Sequence, residues 1–223
     1  MVDWGTIANL ATAGGTLVLA VATFSSVRSS NRTARSAERS LQAGLRPVLF
    51  ASRPDDPAQT IRWGDNHWAT VPGGGGVIDK VDHNVYLAIS LRNVGAGLAV
   101  IHGWQLEPTP LGPTTPAQFQ QSRQAITRPD TAGFRPQGRD LYVPAGDVSF
   151  WQAAIRNEPD FPRWEEIVAS LKAHRGMGIN LLYGDHEGGQ RTISRFQLTQ
   201  RPDEDNWTCS VVRHWNLDRE DPR

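Results

Sequence analysis

Asp185, His186 and Glu187 stand side by side ahead of Gly188 and Gly189. An imidazole flanked by two carboxylates is a metal-ligating combination, the ring nitrogen acting as the softer donor and the oxygens as the harder ones. Adjacent residues of an extended segment point to alternate faces, so all three converge on one ion only in a special turn. The competing reading is a polar hairpin turn in which the two glycines supply positive φ. That reading is preferred, and no metal and no cofactor is assigned. The remaining histidines give no better constellation. His83 follows Asp82, His174 and His214 are isolated, and His102 shares strand parity with Val100 and Trp104, as a hydrogen-bonded core histidine would. No Gly-x-Ser-x-Gly elbow selects a nucleophilic serine. The glycine run Gly73 to Gly76 is followed by Val77-Ile78-Asp79 rather than Lys-Ser/Thr, so it reads as a flexible linker and not a phosphate loop. No catalytic residue is nominated. Metal-dependent catalysis at the Asp185 to Glu187 turn stands only as the alternative to a binding role.

Charge and cysteine content narrow the field. The 223 residues have zero formal net charge, unevenly placed. Arg28, Arg32, Arg35, Arg39 and Arg46 against Glu38 make residues 28–46 carry +4; Asp3 adds −1, so the rest must carry −3. A basic arm on a mildly acidic body argues against nucleic acid as a partner, since that would require a basic patch on the folded domain. Cys209 is the lone cysteine, which excludes an intrachain disulfide and the zinc sites built on two or more thiolates. The body must hold together by packing.

The arm itself begins with 24 uncharged residues, Trp4 to Val27. As a helix it would extend about 36 Å, enough for a hydrocarbon core of about 30 Å. A transmembrane helix over residues 1–27 is therefore expected, with Trp4 at one interface and Arg28, Arg32, Arg35 and Arg39 at the other. The arginines fall on the C-terminal side, so the expected orientation is N-terminus out and C-terminal domain cytoplasmic, in a single-pass protein with the lipid bilayer as a partner. Asn9, Thr16 and Thr23 recur every seven residues, and Thr12 lies on the neighbouring heptad position. This polar seam is a candidate helix–helix face for a homo-oligomer. Residues 28–45 continue as a basic juxtamembrane helix, stopped by Gly44 and Pro47.

From residue 46 the pattern changes to short strands with turns between them. Asn84 to Asn93 alternates with Val85, Leu87, Ile89 and Leu91 on one face. Gly178 to Asp185 and Gln190 to Thr199 form the clearest hairpin. Residues 108–138, rich in Pro, Thr, Gln and Gly, read as an excursion with a short helix over Ala117 to Gln124. Phe161 to Ala173 reads as an amphipathic helix. Eight tryptophans are assigned mainly to the core. The expected fold is mainly β, an antiparallel immunoglobulin-like sandwich over 46–218 with a tail at 219–223. The Arg46-Pro47 opening, the stretch LRNVGAGLAV (Leu91 to Val100) and the hairpin LLYGDHEGGQRTISRF (Leu181 to Phe196) resemble those of single-span, membrane-anchored bacterial proteins common in actinobacteria. The resemblance implies an anchor and a sandwich and carries no activity. The expected role is non-catalytic: binding or scaffolding of an unidentified protein partner at the inner face of a membrane. An exported carbohydrate-binding domain is the reading that reversed topology would require.

Overall fold

The computed structural model describes residues 4–108, 127–156, 161–173, 176–200 and 206–221. The chain divides into two compact units, Met1–Gly44 and Leu45–Arg223.

The first unit is one helix, α1 (Trp4–Gly44), unbroken across the expected boundary at residue 27. Among the described residues no helix is long and apolar enough to cross a membrane. The expectation of a transmembrane span is thereby overturned, and with it the single-pass, N-out, C-cytoplasmic placement. The physical reason lies in the composition of Trp4 to Val27. Absence of charge is not hydrophobicity. Gly5, Gly14 and Gly15 contribute no apolar side chain, and Thr6, Asn9, Thr12, Thr16, Thr23, Ser25 and Ser26 are polar. Without a span, Arg28, Arg32 and Arg35 are simply exposed groups on a helix. The side chains of Trp4 and Arg39 fall outside the described residues. In the candidate seam, Asn9, Thr12, Thr16 and Thr23 are exposed, but Thr16 Oγ1 donates to the Thr12 carbonyl at 2.8 Å. That hydroxyl is turned back on its own helix.

Among the described residues the second unit has eleven strands: β1 (Leu49–Ala51), β2 (Gln59–Arg62), β3 (Trp68–Val71), β4 (Gly75–Val81), β5 (Asn84–Asn93), β6 (Ala99–Pro108), β7 (Arg135–Val143), β8 (Val148–Arg156), β9 (Met177–Gly184), β10 (Arg191–Gln200) and β11 (Trp207–Asn216). A 3₁₀ turn (Thr131–Gly133) precedes β7, and a helix, α2 (Trp164–Lys172), precedes β9. Nine strands make one antiparallel sheet in the order β1-β5-β4-β11-β10-β9-β6-β7, with β8 also on β5, while β2 and β3 form a separate hairpin. β8 pairs Asn84 to Arg92 and so occupies one edge of β5; β4 and β1 pair its successive stretches, Asn84 to Ile89 and Leu91 to Asn93, on the other. The sheet curls into a half-barrel whose open seam runs between β7 and β8.

This overturns the immunoglobulin-like sandwich. Strand alternation reports that one face is buried, and a curled sheet and two stacked sheets satisfy it equally. Inside the curl, Val85, Leu87, Ile89 and Leu91 of β5 meet Ile101, Trp104 and Leu106 of β6, Ile179, Leu181 and Tyr183 of β9, and Ile167 of α2. β5 is covered on its outer face as well, where Tyr86 and Ala88 pack with Ile61, Trp63 and Val71 of the β2–β3 segment. Five tryptophans (Trp63, Trp104, Trp151, Trp207 and Trp215) are buried, whereas Trp68 is exposed. His102 is not a core residue on the parity of Trp104. The β6 register shifts between Ile101 and Gly103, so His102 is the extra residue of a β-bulge.

Two motifs of the sequence are explained by buried polar hubs. Asn93 is wholly buried. Its amide donates to the carbonyls of Gly97 (2.6 Å) and Val143 (2.9 Å), and its Oδ1 accepts from Val48 N (3.1 Å) and Gly95 N (3.0 Å). One side chain thus ties β1, the β5–β6 loop and the end of β7. A Cβ on Gly97 would sit 1.7 Å from the Leu45 carbonyl oxygen, which is why the loop needs glycine there. Arg46 is buried, bonds Thr192 and Asn216 through Nη1, and pairs with Asp218. It therefore belongs to the β unit and not to the basic arm. Nor is the glycine run a flexible linker: Gly75 and Gly76 pair with β11, and a Cβ on Gly73 would meet backbone oxygens of Arg53 and Asp56 at 2.4 Å. The helix expected over Ala117 to Gln124 falls outside the described residues.

Candidate functional site

Asp185, His186 and Glu187 occupy the β9–β10 turn, where His186 and Glu187 are exposed. Asp185 Oδ1 accepts from Gly189 N at 2.8 Å, and Gly188 adopts φ +75. The Asp185 carboxylate therefore shapes the turn, and among the described residues no group of three His, Cys, Asp or Glu is placed to hold a metal.

A second arrangement imitates a nucleophile and its base. Ser194 Oγ lies 2.6 Å from His214 Nδ1, and Tyr183 Oη lies 2.9 Å from the same hydroxyl while accepting from Leu49 N. Ser194 is fully buried, so no substrate reaches it, and the far nitrogen of His214 has no carboxylate to orient it. Burial pushes the His214 pKa down and the Tyr183 pKa up. This is a structural chain linking β1, β9, β10 and β11. Cys209 is equally inert, its thiol pushed up to about 12 by burial.

The open seam is chemically different. A groove of about 570 Å³ lies between β7, β8 and the start of the β2–β3 turn, a volume in the range of small-molecule sites. Arg62, Arg135, Arg139 and Arg156 line it together with Gln137 and Gln152, and among the described residues no carboxylate does. Strand geometry assembles this set. Gln152, Ala154 and Arg156 alternate along β8 and share a face, whereas on β7 the pairing with β6 is interrupted between Pro136 and Leu141, and Arg135, Gln137 and Arg139 line the groove from that irregular stretch together with Pro136 and Gly138. Arg62 arrives from β2.

Three of the four guanidinium groups are held in place. Arg135 lies over the rings of Trp104 (5.8 Å) and Phe161 (4.9 Å). Arg62 lies 5.3 Å over Trp68 and donates to Asn66 Oδ1. Arg156 Nε donates to Asp65 Oδ2 at 2.9 Å, and the Tyr86 hydroxyl donates to the same oxygen at 2.7 Å. These two bonds, Arg156 first, lower the Asp65 pKa to about 2. Arg139 is exposed and makes no ion pair among the described residues. Aromatic faces and a carboxylate thus fix planar donor forks before any ligand arrives, the condition under which guanidinium recognises phosphate or carboxylate bidentately.

The walls of the seam are braced by side chains where a strand ladder is missing. Gln137 Nε2 donates to the Gln152 carbonyl (3.2 Å), Trp151 Nε1 to Gln137 Oε1 (3.1 Å), and Trp63 Nε1 to the Ala153 carbonyl (3.0 Å). Gln152 Oε1, by contrast, is buried with no hydrogen-bond partner. An orphaned buried acceptor costs about 1–3 kcal/mol.

None of the four groove arginines stands among the residues nominated from the sequence. The readable signal is the Arg-x-Gln-x-Arg spacing at 135–139, which gathers polar donors in one short stretch. It was obscured because residues 108–138 read as an irregular excursion.

Comparison with known proteins adds no assignment. No family model matches the chain. No curated protein matches it either. A crystal structure of a protein from Archaeoglobus fulgidus is similar at 10% identity, covering 65% of this chain and 94% of that one, with a TM-score of 0.23. A likeness at that score carries no argument about fold or function.

Proposed function

We propose that the chain is a non-catalytic binding or scaffolding protein whose β unit captures an anionic ligand in the seam between β7 and β8. The observation that supports this reading is the convergence of Arg62, Arg135, Arg139 and Arg156 on one groove without a lining carboxylate among the described residues. Like charges at close quarters repel, so such a cluster is held together at a cost that a bound anion relieves. Catalysis has no comparable support: in the Ser194–His214 contact the serine is fully buried.

Trp63 and Trp104 line the groove and make a direct test possible. Titration with inorganic pyrophosphate, followed by tryptophan fluorescence, is expected to give a saturable change that weakens steeply with added salt. The double variant Arg62→Glu, Arg139→Glu is expected to lower affinity by at least about tenfold, the loss of one or two charge-assisted hydrogen bonds. A wild-type protein that shows no saturable response at millimolar pyrophosphate and low salt would refute the reading.

A further inference from the structure

We infer that the groove is built for a phosphomonoester of a hydroxyl-bearing small molecule rather than for a bare anion, an inference that rests on the groove being an anion site.

Three observations point this way. The first is size. A groove of about 570 Å³ is far larger than one phosphate group requires, and it falls among volumes typical of organic ligands. An inorganic ion would leave most of the walls unused.

The second is the distribution of charge. The arginines enter from three strands: Arg62 from β2, Arg135 and Arg139 from β7, Arg156 from β8. Asp65 already offsets Arg156 from the rim. The Asp65 carboxylate, held at once by a guanidinium and by the Tyr86 hydroxyl, shows the kind of group this wall accepts. Arg62 and Arg139, which make no ion pair among the described residues, favour a ligand group of higher charge than a single carboxylate, and a phosphomonoester is close to dianionic at neutral pH.

The third is Gln152. It lies in the groove wall, 9% exposed, and its Oε1 has no partner. Its own backbone carbonyl is satisfied by Gln137, so the missing bond is confined to the side chain. An acceptor wants a donor, and an anion supplies none; a ligand hydroxyl does. The terminal torsion of a glutamine is broad, so the amide turns from the wall into the groove without leaving its rotamer. Anion on the guanidinium groups and hydroxyl on the Gln152 amide together describe a phosphorylated polyol.

The test compares two probes with the same charge and similar bulk on the full chain: glucose 6-phosphate, which carries hydroxyl donors, and cyclohexylmethyl phosphate, which does not. Calorimetric titration of the wild-type protein is expected to favour glucose 6-phosphate by about tenfold, the worth of one hydrogen bond to an otherwise orphaned acceptor. In Gln152→Leu that preference is expected to vanish while cyclohexylmethyl phosphate binds as before. The wild-type ratio needs no variant, and a shift of the Gln152 side-chain amide resonances on adding glucose 6-phosphate, but not cyclohexylmethyl phosphate, reads the same contact. Equal wild-type affinity for the two probes, or a preference that survives in Gln152→Leu, would overturn the inference and leave the anion site standing. Failure of both probes and of pyrophosphate would remove the anion site itself.

Discussion

Guanidinium groups occur here in two settings. On α1, Arg28, Arg32 and Arg35 follow one another at helical spacing, exposed, and without an ion pair among the described residues. In the seam of the β unit, Arg62, Arg135, Arg139 and Arg156 come from positions up to 94 residues apart, and all but Arg139 are held, by Trp68, Trp104, Phe161 and Asp65. The first set is dense in sequence and unfixed in space. The second is sparse in sequence and, Arg139 apart, fixed in space. Charge density along a chain reports where cations are; a recognition site needs their directions set beforehand, because ordering flexible side chains on binding offsets much of what the contacts gain. The units differ in the same sense. α1 is made by hydrogen bonds four residues apart, whereas the β unit depends on buried contacts such as Asn93 to Val143, fifty residues apart.

The largest effect separating the units is expected from Asn93→Ala. It leaves Val48 N, Gly95 N and the Gly97 and Val143 carbonyls without their partner inside the β unit. A loss of roughly 3–5 kcal/mol in the denaturant-unfolding free energy is expected, with the helical signal of α1 retained. Loss of less than about 1 kcal/mol would show that Asn93 is not the hub its bonds suggest.

Next in size is charge reversal in the two arginine settings. Arg62→Glu with Arg139→Glu should cut pyrophosphate affinity at least about tenfold, while Arg28→Glu with Arg32→Glu should change it less than about twofold at physiological salt, because among the described residues no neighbouring group orients those side chains toward an anion. Equal losses would mean that overall charge, not the held geometry, governs binding.

A smaller effect is expected from acid. The Asp65 pKa is depressed in the folded state, to about 2 from an ordinary 3.8, chiefly by Arg156. The unfolded chain therefore takes up the proton first, and the stabilising contribution is complete above about pH 4 and is lost as pH falls toward 2. Asp65→Asn should flatten the stability profile across that window, and above pH 5 it should lower stability by a pH-independent amount. His214, whose pKa is lowered by burial, adds a separate loss as pH falls below 6.5.

The smallest effect is local. Gly14 and Gly15 have open space where a Cβ would go. Replacing both by Ala should raise helix stability by about 1 kcal/mol per residue, seen as slower amide exchange in α1, with no change in the unfolding midpoint of the β unit.

The sequence made the β character, the antiparallel hairpins and the α2 helix readable because each follows from local periodicity. Val85, Leu87, Ile89 and Leu91 did point to one core. What periodicity of two does not contain is whether the opposite face meets another sheet or the same sheet curled round, and here it is the latter. The bulge at His102 erased parity within β6. Trp4 to Val27 differs from its expected role for another reason: a lack of charge is not affinity for hydrocarbon, and the threonines, serines and glycines outweigh Leu17 to Leu19. The groove was illegible because its four arginines share no stretch of sequence; only the Arg135-x-Gln137-x-Arg139 spacing hinted at it.

The most direct measurement is a nuclear magnetic resonance titration of the full chain with pyrophosphate, following arginine Nε–Hε signals. The expected result is saturable shifts at Arg62, Arg135, Arg139 and Arg156 with one common dissociation constant, and small, non-saturating shifts at Arg28, Arg32 and Arg35. Shifts that fall on the α1 arginines first, or on all arginines alike, would contradict a preformed anion site in the seam.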